Sequence, residues 1–227
     1  MIALLAALAL TQGPGPAGGG PLDEGTLVVR LDTAEVARET FRLVMRRVGD
    51  STSGWVLATT TRWFRGGPPV VFAPVLELTP DSQPGALAYD VTANGASLRI
   101  TGHSGPGRYT LRYVAPGRER ARELPAGPRS VVVDDSVFAP FLFAAWRAGP
   151  SPTTVAAIFP RTSRRTLLTV TDLGVASTTL NRDPATLRHV LIAGGPGGPV
   201  HVWLTSDSRL MKVEIPDRGW RAERLPS

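Results

Sequence analysis

The chain has 227 residues, 42% of them hydrophobic and 19% charged, with 24 glycines, 21 prolines and no cysteine. That composition suits one core with many turns, and it excludes disulfides, thiolate catalysis and iron–sulfur clusters. The net charge of +6 is almost all arginine, Lys212 being the only lysine, and the arginines are not interleaved with aromatic residues on one face, which argues against a nucleic-acid reader.

Residues Ile2 to Leu10 (IALLAALAL) form an apolar run followed by TQGPGPAGGGP. Nine residues cannot span a bilayer, which takes roughly 20, but they match the core of a secretory signal. No Lys or Arg precedes the run. The expected organisation is a signal peptide and Gly/Pro-rich leader over 1–21 and a single β-rich domain over 22–227. With the absence of cysteine, this points to a periplasmic or secreted protein.

Leu27, Val29 and Leu31 alternate with Val28, Arg30 and Asp32 and predict a first strand. The run Val36 to Val48 fits two periods. Ala37, Phe41, Val44 and Val48 make a helical stripe, whereas Ala37, Phe41, Leu43 and Met45 against Arg38, Thr40, Arg42 and Arg46 make a strand. The strand is the more consistent reading inside a meander.

Further strands are expected at Trp55 to Arg65, Pro69 to Thr79, Ala86 to Ala93, Ser97 to His103, Arg108 to Val114 and Arg118 to Leu124. Asn94-Gly95 is the strongest turn signal between them, since a tight hairpin needs positive φ at both positions. Val131 to Gly149 interrupts the pattern. Pro140 opens and Gly149-Pro150 closes a short helix, apolar nearly all round from Phe141 to Trp146 and so expected to be buried. Strands resume at TTVAAIFP, RTLLTVTDLG and LRHVLIA, and a hairpin closes the chain, with Val202, Leu204, Val213, Ile215 and Trp220 on its alternating runs.

Two segments carry a family resemblance: Val137-Phe138-Ala139-Pro140 at the helix, and Trp203 to Ile215 (WLTSDSRLMKVEI) in the closing hairpin. They resemble uncharacterised bacterial periplasmic families of unknown function. The resemblance implies a mainly β fold: a curved antiparallel sheet, half-barrel or open barrel, wrapped over one short buried helix and similar in shape to the lipoprotein-carrier half-barrels. It brings no activity or catalytic residue, and Ala139 stands where those families commonly have Asp.

Candidate chemistry is sparse. Gly102-His103-Ser104-Gly105 fails the nucleophile-elbow pattern because Pro106 stands where glycine is needed, and it leads into a strand rather than a helix. Asp134-Asp135 precede the helix and are expected to act at its N-terminus. His103, His189 and His201 lack metal-ligand spacing, and Gly194 to Gly198 leads into a strand, so no metal, cofactor or phosphate loop is assigned. What remains is aromatic: Trp55, Trp63, Phe72, Tyr89, Tyr109, Phe141 and Trp203 are candidates for lining a groove, at about 0.8 kcal/mol per buried CH₂ of an acyl chain. The expected function is an exported, non-enzymatic binding protein holding a lipid or acylated protein in the hollow of the sheet, with peripheral membrane contact. The alternative is a structural or protein-interaction module of the envelope, its core filled and without ligand.

Overall fold

The computed structural model describes residues 22–49, 51–64 and 67–226. The expected signal peptide therefore lies outside the described residues. Among the described residues fifteen strands form one sheet: β1 (Asp23–Leu31), β2 (Ala34–Val48), β3 (Ser51–Trp63), β4 (Val70–Leu78), β5 (Pro84–Ala93), β6 (Ala96–Gly105), β7 (Arg108–Ala115), β8 (Arg118–Pro125), β9 (Ser130–Val132), β10 (Thr153–Phe159), β11 (Arg164–Leu180), β12 (Asp183–Ala193), β13 (Val200–Leu204), β14 (Leu210–Ile215) and β15 (Trp220–Arg224). Each strand pairs with its chain neighbour, except that β8 and β9 are the two edges and β1 pairs with β15 in the middle. All pairings are antiparallel except β9 on β10, which is parallel and makes the sheet mixed.

The half-barrel is not what forms. The ladder is open, with β8 at one edge and β9 at the other. Closure needs a particular strand tilt and stagger, which alternation of side chains does not specify. The edges themselves resist pairing. β8 reads RERARELP and is exposed along nearly its whole length, so alternating charges line that edge, and β9 has only three residues.

Local chemistry explains the strands. In β2 the inward positions Ala37, Phe41 and Leu43 are buried while Arg38, Thr40 and Arg42 are exposed, so this run is a strand and not a helix. Asn94 and Gly95 both have positive φ (51° and 77°) between β5 and β6. The closing run is three strands rather than a simple hairpin, because Pro216–Arg218 makes a 3₁₀ turn ended by Gly219 at φ 64°. β11 and β12 are longer than expected. They share a β-bulge between Asp172 and Val175, with Gly174 at φ 78°, and continue beyond it to a tight turn at Asn181-Arg182.

The segment between β9 and β10 supplies the centre of the core. The helix α1 (Phe141–Ala145) is five residues long, shorter than expected, and every residue of it is buried. Val131, Val137, Phe138 and Ala139 are buried with it, in one cluster with Leu27, Leu57, Tyr109, Val155 and Val202 from both wings of the sheet.

Candidate functional site

Three arrangements of side chains stand out. The first is the interior. Glu39, at an inward position of β2, is fully buried. Its Oε2 accepts hydrogen bonds from the Thr61 hydroxyl and the Phe138 N–H, both at 2.7 Å, and its Oε1 accepts from the Ala139 N–H at 2.6 Å. Burial pushes this carboxyl up to about 7, against the three donors that favour its charged form. Glu39 thus ties β2 to the entry of α1.

Beside it, Asp134 is 4% exposed and accepts both forks of Arg161 at 2.7 Å, the Ser136 N–H at 2.8 Å and the Tyr89 hydroxyl at 3.0 Å. Burial pushes the Asp134 carboxyl above its ordinary range, and Arg161 opposes that. Burial also works against the Arg161 charge, but Asp134, with Tyr89 and Asp135, outweighs it and raises the guanidinium. Arg161 also meets Asp135 and lies 4.5 Å above the Phe72 ring, and Arg218 pairs with Asp135 at 3.1 Å. Asp134 and Asp135 therefore bind arginines and do not cap α1. No side chain caps α1; Glu39 instead holds the two N–H groups just ahead of it, and its position in the chain gave no hint of proximity to residue 138.

The aromatic candidates divide between two faces. Trp55 donates to the Pro80 carbonyl at 3.4 Å and stands edge-on to Trp146. Trp63 donates to the Ser136 carbonyl at 3.0 Å and packs on Trp220 and Phe138. Phe72 meets Tyr89 edge-on, Tyr109 packs against Gly102, and Phe141 is buried in α1. These six meet the 131–146 segment or the core around it, and a cavity of only about 20 Å³ lies beside Phe141, Phe159 and Leu168. That volume suits about one water molecule. Trp203 is on the other face.

Trp203 belongs to the second arrangement. The register places His189, Trp203, Lys212 and Glu223 in one row across β12 to β15, and Leu191, His201, Glu214, Arg221 and Arg30 in the next. His189 stacks on Trp203, with centroids 3.9 Å apart and planes at 5°, and its Nε2 lies 2.8 Å from Nδ1 of His201. Burial and the neighbouring His201 hold the His189 imidazole below its ordinary value, so its neutral form is favoured. Trp203 donates to Glu214 at 3.0 Å, and Glu214 pairs with Lys212 at 2.9 Å. The two histidines that flank the glycine loop thus meet. Among the described residues no group of three or more His, Cys, Asp or Glu could hold a metal.

The third arrangement is made by the far end of the β11–β12 hairpin. Beyond the bulge it reaches the outer face, where Lys212 donates to Thr178 Oγ1 at 3.1 Å and to the Thr179 carbonyl at 2.9 Å, and Asn181 donates to the Arg224 carbonyl at 2.7 Å. The side chain of Lys212 is left 3% exposed. Between this hairpin end and the β1–β2 turn lies a cleft of about 410 Å³.

Ser104 pairs with Tyr109 near the end of β6, in a strand and not on an elbow. The resemblance to periplasmic carrier-like families is not upheld, because no family model, no curated protein and no solved structure matches this chain. The two segments that suggested it are a buried connector and an ordinary pair of strands, patterns that packing alone imposes on unrelated sheets.

Proposed function

We propose that this chain is a non-enzymatic interaction module whose interior is filled by its own 131–146 segment, so that partners engage its outside. The observation that carries this reading is the close packing around α1: Phe138, Phe141 and Phe143 are at most 3% exposed, and the cavity beside Phe141 is about 20 Å³. A groove for a drug-sized or acyl ligand needs roughly 300 Å³ or more. The carboxylates beside α1 are also committed. Asp134 and Asp135 face arginines, and Glu39 faces three donors, an arrangement that stabilises a fixed connector rather than a reacting group.

Native mass spectrometry of the protein purified from cells tests the reading. The expected mass is that of the polypeptide alone. A co-purifying apolar adduct that survives gentle desolvation and is lost on denaturation would overturn it.

A further inference from the structure

The outer cleft is lined by Arg30, Asp32, Thr33, Thr179, Asn181, Arg182, Arg221 and Glu223. Three arginines face two carboxylates, an excess of one positive charge. Arg30 is held by Glu223 at 3.1 Å, whereas neither Arg182 nor Arg221 forms an ion pair or side-chain hydrogen bond among the described residues. Glu223 is 3% exposed, and its Oε1 is buried without a hydrogen-bond partner among the described residues. Native structures rarely leave such an acceptor orphaned, and a functional role is among the usual reasons.

The turn that carries Arg182 gives a separate observation. Asn181 and Arg182 have φ of 51° and 78°, matching Asn94 and Gly95 at 51° and 77° in the β5–β6 hairpin. Glycine is the residue this second position favours, and a branched-out side chain is strained there. The chain uses glycine at the turn remote from the cleft and arginine at the turn on its rim. Arg182 thus holds, on the rim of the cleft, a backbone conformation that arginine disfavours.

We infer that this cleft binds a small phosphorylated polyol. Arg182 and Arg221 would take the phosphate, since planar guanidinium forks match its oxygens. Asp32, Thr33, Thr179 and Asn181 are the hydroxyl-binding groups of the rim. The cleft lies on the outer face, so the assignment holds whether or not the interior is filled.

Calorimetric titration with ribose 5-phosphate, ribose and inorganic phosphate tests it. Ribose 5-phosphate is expected to bind saturably and more tightly than either part. Arg221→Gln and Arg182→Gly should each weaken it about tenfold or more, as loss of a charge-assisted hydrogen bond does. Arg182→Gly should at the same time raise the melting midpoint by about 3 °C, because it relieves the turn. Gly95→Arg should lower the midpoint and leave binding unchanged. Absence of saturable ribose 5-phosphate binding, or binding that neither arginine variant alters, would overturn the site. Equal affinity for inorganic phosphate would overturn the polyol assignment.

Discussion

Replacing Glu39 with alanine is expected to destabilise the protein by about 4 kcal/mol at pH 5, read from chemical denaturation. The substitution strands the Phe138 and Ala139 N–H groups and the Thr61 hydroxyl inside the core, and each unsatisfied buried donor costs about 1–3 kcal/mol. The wild-type residue also sets a pH dependence. Its folded value of about 7 lies above the ordinary 4.5, so the folded state binds the proton more tightly between these limits. Its favourable contribution is therefore fully present below about pH 4.5, falls as pH rises, and is lost above about 7. A shift of this size corresponds to about 3 kcal/mol across that window. Glu39→Gln, which cannot titrate, should show a flatter stability curve than wild type over the same range. Parallel curves for the two proteins would remove Glu39 as the group responsible.

Asp134→Asn is expected to cost about 3 kcal/mol, because it leaves the Arg161 guanidinium without its buried counter-charge. The loss sits at the low end of the range for a broken buried pair, since Asp135 still touches Arg161 from its 30% exposed position. The double variant Asp134→Asn with Arg161→Met should be less damaged than the sum of its two single changes, as removal of both charges leaves neither uncompensated. Denaturation midpoints of the four proteins measure this coupling, and strict additivity would show that the pair does not act as a unit.

Much of the strand pattern was legible because side chains alternate where one face is buried. Ala37, Phe41 and Leu43 marked the inward face of β2, and Asn94-Gly95 marked a tight turn by its backbone chemistry. The burial of Phe141 to Ala145 followed from having no polar side. Long-range geometry was not legible. Nothing local pairs β1 with β15, and nothing local keeps the ladder open; these depend on stagger and twist accumulated over many strands. The bulge at Gly174 sends the β11–β12 hairpin end over the outer face, and its only sequence mark is one glycine in a long run.

For the sites, the signal lies in parity. Glu39 has the inward parity of Ala37 and Phe41, so a carboxylate was bound to enter the core there and to need donors. Trp203 has the opposite parity to Val202 and Leu204, which puts it on the outer face, away from the other aromatic candidates. Which donors Glu39 meets, and that His189 meets His201, depend on connections far apart in the chain.

Amide hydrogen exchange of Phe138 to Trp146 tests most directly that this segment is a permanent part of the core. These amides are expected to exchange only through global unfolding, with the denaturant dependence of the whole protein, as the N–H groups bonded to Glu39 and within α1 have no lower-energy route to water. Rapid exchange insensitive to denaturant, while β1 and β15 stay protected, would mean that the segment leaves and returns as a plug, and would contradict a filled interior.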